Sequence, residues 1–169
     1  MGIGESLLPE FDREMASTRK TLERVPDDKF DWKPHAKSAS MLELAHHLAH
    51  LPWWGGLAIG SDSFDFAPEG TPMKLPETKS TAEVLSWFDE NVATTRQAIA
   101  GASDDEFSKP WTLFFNKRKI MTKSKAEVLR DFMLSHSIHH RAQLGVYLRL
   151  NDIPLPMIYG PTADENPFG

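Results

Sequence analysis

Residues 124–150, SKAEVLRDFMLSHSIHHRAQLGVYLRL, decide the fold class of this chain. Ser124 followed three residues later by Glu127 is a capping box: the serine oxygen accepts from an orphan backbone NH while the glutamate reaches back to the serine NH. A helix started there can run from about Lys125 to Leu150, where a proline-rich tail follows. At about 100° per residue, Leu129, Met133, His136, His140, Gln143 and Tyr147 step by four and three and form one stripe. His136 and His140 thus fall in the middle of the apolar arc, His139 near its margin with Phe132 and Val146, and Arg141 well away from it.

Two further segments carry the same start signal, Ser40 to Glu43 and Ser80 to Glu83. Leu8, Phe11, Met15, Thr18, Leu22 and Val25 give an earlier helix its apolar period; Pro9 suits only a first turn, and Pro26 ends the helix. Leu85, Phe88, Val92, Thr95 and Ile99 form the stripe of a helix from about Thr81 to Ala100. The helix after Ser40 meets Pro52, which removes a donor and crowds the Leu48 carbonyl, so a kink is expected before a continuation toward Gly60. Between Phe107 and Met121, Pro110 and the run of apolar residues predict an extended excursion, with a short hairpin around Asn116 as one form of it. Four amphipathic helices with little strand signal predict an all-α four-helix bundle. The linker 61–79 is too long for a tight turn, so at least one long crossover is expected. At 169 residues the chain reads as a single domain, 1–169, with no internal repeat.

The second helix offers three histidines. Met41, Leu44, Leu48 and Leu51 define its apolar face, and His47 borders that face on the side of Trp54 and Ala58. His46 and His50, themselves four apart, sit with Glu43 on the opposite, wet side. Two histidines one helical turn apart with a third on another element can hold one ion by three nitrogens and leave a coordination position open. A lone histidine on an apolar face is more often a hydrogen-bonded core residue. Two in one stripe are harder to bury without metal, proton or polar partner. Spacing alone leaves both readings standing. His35, in a turn, is a further candidate for ligand or substrate contact, though loop histidines are usually neither. Met15 and Met133 read as core, and Trp53 and Trp54 as a pocket mouth or an interhelix contact.

Composition removes several classes of function. With 24 acidic against 19 basic residues and a net charge of -5, no footprint for a phosphate backbone exists, so nucleic acid is not an expected partner. The basic cluster Lys117, Arg118, Lys119, Lys123 and Lys125 reads as a solvated loop and helix start. Zero cysteines exclude disulfides, thiolate ligands and a cysteine nucleophile. Residues 1–6 lack a signal-peptide pattern, and no apolar run approaches the roughly 20 residues that span a bilayer. A cytoplasmic protein without a membrane partner is the default expectation.

Residues 136–161, HSIHHRAQLGVYLRLNDIPLPMIYGP, resemble the DinB family (DinB/YfiT-like proteins), whose fourth helix carries an HxxxHR-x-Q pattern. TRKTLERVPDDKFDWKPHAKSASMLELAHHLAHL, residues 18–51, is similar to that family's first helix, turn and second helix. The resemblance implies an up-down-down-up bundle with His47, His136 and His140 as metal ligands at one end. It also implies a divalent ion, zinc or nickel, and a homodimer. Relatives with known chemistry are transferases and isomerases that use low-molecular-weight thiols. The reading that follows is a metal-dependent transferase acting on a small thiol and a small electrophile. The alternatives are a metal-dependent hydrolase using metal-held water, and a non-catalytic, stress-related metal-binding bundle. Candidate general bases are His139, Asp131 and Glu43. The tail 153–169 is expected to fold back, bringing Tyr159, Asp164 or Glu165 toward the site or a dimer partner, or simply to pack on the surface.

Overall fold

The computed structural model describes residues 2–168; Met1 and Gly169, which the expectations for the domain, the N-terminus and the tail include, lie outside them. Helix α1 spans Ile3–Leu22, α2 Met41–Gly60 and α3 Thr81–Gly101, followed by the short α4, Asp104–Ser108. Strands β1 (Ser63–Asp65), β2 (Pro110–Phe115) and β3 (Arg118–Ser124) form a small sheet. The last helical rod is continuous over residues 125–150. It comprises α5 (Lys125–Glu127), a π-helical segment (Val128–Ser135) and α6 (His136–Leu150). Helix α2 packs on α3 and on the rod, and α1 packs on α3 and α6.

The helix starts follow the serine signals. Ser40 and Ser124 close full capping boxes with Glu43 and Glu127. Ser80 accepts from the Glu83 NH, but the Glu83 carboxylate turns to the Lys79 NH instead, at 2.6 Å. Helix α1 begins at Ile3, so Pro9 lies inside it and not in a first turn. Pro9 is exposed there, where its missing NH disturbs no packed surface.

The chain is mostly helical but not all-α. The hairpin expected around Asn116 forms, with Asn116 and Lys117 both at positive φ (48° and 62°) as a two-residue turn between twisted strands requires. β1, from the long linker, adds to it in parallel, Ser63 beside Thr112 and Asp65 beside Phe114. The Asp65 carboxylate accepts from the backbone NH groups of Ala67, Asn116 and Lys117, tying linker to turn. Three residues of strand have too little alternation to be read from sequence.

Helix α2 runs through Pro52, and α3 accommodates it. Thr95 Oγ1 donates to the Pro52 carbonyl at 2.7 Å and accepts from the Gly56 NH at 3.1 Å, inserting a hydroxyl where the helix's own bond would lie. A Cβ on Gly55 or Gly56 would come within 2.9 Å or less of Thr95 or Met133 side-chain atoms, so the glycines permit this close approach.

The rod departs from the expected wheel. Leu129 and Met133 are buried as predicted, but beyond them the buried stripe is Ser137, Arg141, Leu144 and Leu148. A π turn carries an extra residue per turn, so the face turned inward advances by one position across residues 128–135. His136 and His140 consequently sit half-buried at the margin of the core, not at its centre. Arg141, expected to point away, is 3 % exposed and meets the equally buried Glu14 of α1 at 2.8 Å. Lys125, expected in solvent, is buried too; it donates to the Ile59 carbonyl at 3.0 Å and pairs with Glu106.

The tail packs on the bundle. Tyr159 donates to Glu14 and also contacts Arg141, Asp164 pairs with Arg149, and Glu165 pairs with Arg24 at 2.5 Å. Burial opposes the charge on Glu14, yet the bonds from Tyr159 and Arg141 outweigh it and hold its pKa below the ordinary carboxylate value. None of these three tail residues is bonded to a histidine of the candidate site.

Candidate metal centre

Helix α2 and the rod run antiparallel: Lys125 reaches Ile59, His136 faces His47, and the Tyr147 hydroxyl donates to the Ala39 carbonyl at 3.3 Å. At mid-length this pairing brings His47, His136 and His140 together, each half-buried, with one ring nitrogen of each within 4.8 Å of the others. The Nε2 of His136 lies 3.3 Å from that of His47 and 2.8 Å from that of His140.

Hydrogen bonds on the far side of two rings decide what those nitrogens present. His136 Nδ1 donates to the Phe132 carbonyl at 3.3 Å and His140 Nδ1 to Gln143 Oε1 at 2.7 Å. With the proton held on Nδ1, each Nε2 offers a lone pair, and lone pairs at these separations repel unless a cation or proton sits between them. Burial, with smaller effects from the neighbouring imidazoles, pushes His47 down to about 4. His136 and His140 are lowered as well, chiefly by burial, with the bonds to Phe132 and Gln143 acting in the opposite sense. Three neutral imidazole nitrogens facing one point suit a divalent ion such as zinc or nickel and leave a position for another ligand.

The other sequence candidates lie elsewhere. His46 is half-buried, its Nε2 2.6 Å from the Pro76 carbonyl. His50, expected on a wet face, is 6 % exposed; its ring stacks on Trp53 and Trp87, and its Nδ1 is a buried atom without a partner among the described residues. The wheel misplaces it because α3 covers that side of α2, with Asn91 donating to the Ala49 carbonyl at 2.9 Å. His35 is exposed, its Nδ1 accepting from the Lys37 NH. Among the general-base candidates, Asp131 is paired with Lys123 at 2.6 Å and Glu43 is occupied in its capping box. His139 is exposed with its ring 4.9 Å from that of His140. Gln143 lies on the predicted stripe with no role that periodicity assigns; the HxxxHR-x-Q spacing is the signal that points to it.

The DinB superfamily profile matches residues 10–144. This chain belongs to the DinB superfamily. Among solved structures, a DinB-like protein from Bacillus cereus ATCC 10987 superposes with a TM-score of 0.71 at 17 % identity, covering 92 % of this chain and 97 % of that one. The DinB-like protein YjoA from Bacillus subtilis gives a TM-score of 0.69 at 18 % identity, with 90 % and 97 % covered. At such identities the likeness is one of fold. No curated protein matches. Among the described residues of this DinB chain, no helix is long and apolar enough to cross a membrane.

Proposed function

We propose that this DinB protein is a metal-dependent enzyme, with zinc or nickel held by His47, His136 and His140, that joins a low-molecular-weight thiol to a small electrophile. The observation that carries the reading is the convergence of three Nε2 atoms, two of them aimed by Nδ1 bonds to Phe132 and Gln143. A purely structural ion is usually closed by four protein ligands; three favour a working site. When bound, a divalent ion supplies the charge that acidifies a thiol or a water at the open position. The chain's own contribution is neutral imidazoles fixed in orientation, in a half-buried setting where charge is poorly screened. Absence of cysteine fits a nucleophile brought by the substrate.

The test is metal removal followed by reloading with zinc or nickel and assay across a panel of small thiols and electrophiles. Thiol-dependent conjugation is expected. No acceleration with any pair ends the transferase reading, and turnover that ignores thiol points to the hydrolase. The family's bundle order, up-down-down-up, and a cytoplasmic location belong to the same proposal, as does a homodimer. For the dimer, Val146 and Leu150 of α6 stand exposed. A Cβ on Gly145 beside them would have no neighbour within 4 Å among the described residues, so none of their contacts requires a glycine there. Sedimentation at micromolar concentration should give twice the chain mass; a monomer rejects it.

A further inference from the structure

Aromatic rings stand directly against the three histidines at one end, and polar side chains at the other. Toward the sheet, Phe132 of the π segment lies with its ring 5.9 Å from that of His136. Trp54, two turns beyond His47 on α2, meets Phe132 edge-on at 5.2 Å, and Phe64 of β1 meets Trp54 at 5.8 Å. All three rings are only partly buried. Toward the other end Gln143 stands on His140, and Glu43, one turn before His47, pairs with Lys33 at 3.4 Å, with the Trp32–Tyr147 ring pair, 5.4 Å apart, two turns beyond His140.

Two details separate this aromatic wall from ordinary core. The indole NH of Trp111, fully buried, donates to Ser61 Oγ at 3.1 Å, as a buried indole should. Trp54 has no hydrogen-bond partner among the described residues and is only partly buried, so its indole NH is left for water or a bound molecule. Phe132, moreover, sits in the π segment, the stretch that turns His136 and His140 out of the core; π turns of this kind concentrate at functional sites.

We propose that the site takes a substrate carrying an aromatic or similarly flat apolar group, seated against Phe132 and Trp54, with its polar reacting end at the three Nε2 atoms. This assigns the substrate class and rests on the metal-centre reading above. An edge or face contact with such rings adds to the gain from removing apolar surface from water, and together they are large enough to select one substrate over another.

The experiment uses cobalt(II)-loaded protein, with acetohydroxamate and benzohydroxamate as metal-directed probes that differ by the aromatic ring, and the visible cobalt spectrum as readout. Benzohydroxamate is expected to bind at least about tenfold tighter, which corresponds to about 1.4 kcal/mol. Phe132→Ala and Trp54→Ala should each bring the two probes to within about threefold while retaining one cobalt. If either alanine variant fails to fold, Phe132→Leu, which keeps bulk but removes the ring, should still narrow the ratio. Equal affinity in the unaltered protein, or a preference surviving these substitutions, overturns the aromatic site and leaves the metal centre standing. Failure to bind one equivalent of cobalt overturns the metal centre instead, and the substrate class with it.

Discussion

Two pairs of histidines in this protein share the same spacing, His46 with His50 on α2 and His136 with His140 on α6. The second pair points its Nε2 atoms at each other, 2.8 Å apart, with both outer nitrogens bonded to oxygen. In the first pair, His46 turns to a backbone carbonyl in the linker while His50 is pressed between two indoles. Spacing along a helix therefore sets which rings can meet; the neighbours across the interface set whether they share a target.

The widest separation between the pairs should come from metal content. His140→Ala should lower metal affinity at least about a hundredfold and abolish stoichiometric binding. His46→Ala and His50→Ala should retain one ion, as read by elemental analysis of each purified variant. Loss of the ion in His46→Ala would erase the distinction between the pairs. A smaller effect is expected from Gln143→Leu, which leaves three ligands but frees the His140 ring. Outer hydrogen bonds of this kind are worth about 10–100-fold in affinity, measurable by competition with a chromophoric chelator.

Acid should expose the first pair. Burial pushes His50 down to about 4 from its ordinary 6.5. Between those values the unfolded chain takes up a proton that the folded His50 refuses, so its share of stability is complete above pH 6.5 and lost as pH falls toward 4. The metal-free protein should melt at progressively lower temperature over that window, and His50→Phe, which keeps the stacking partners, should lessen the decline without abolishing it, because His47 is lowered to about 4 as well. An unchanged pH slope in the variant would show that His50 takes no part in it. The smallest effect belongs to the outer member, His46→Ala, expected within about 2 kcal/mol because one half-exposed hydrogen bond and a ring contact with Trp87 are lost.

Much of the fold and the site is legible along the chain. Serine and glutamate three apart mark the starts of α2, α3 and the last rod, because capping is chemistry local to one turn. Spacing and the DinB pattern single out His47, His136 and His140, and the structure brings those three together. The departures arise where a helix's neighbours or its phase differ from what its own residues suggest. Periodicity puts His50 and Arg141 on wet faces because each helix is treated as a regular cylinder with one neighbour, and the basic cluster puts Lys125 in solvent because its partners, Ile59 and Glu106, are distant in sequence; all three are buried.

Residues a few positions apart were enough to read the starts of α2, α3 and the last rod, and the place of the hairpin turn; helical phase together with the DinB pattern singled out the three histidines. The remaining features arose from how the elements pack. A π segment reset the phase of the rod, so that Arg141 went in to Glu14 and the histidines came to the margin. Packing of α3 against α2 buried His50, and a three-residue strand found its partner some fifty residues away. Those outcomes depend on which surfaces meet, and periodicity along a single helix carries no information about the surface opposite.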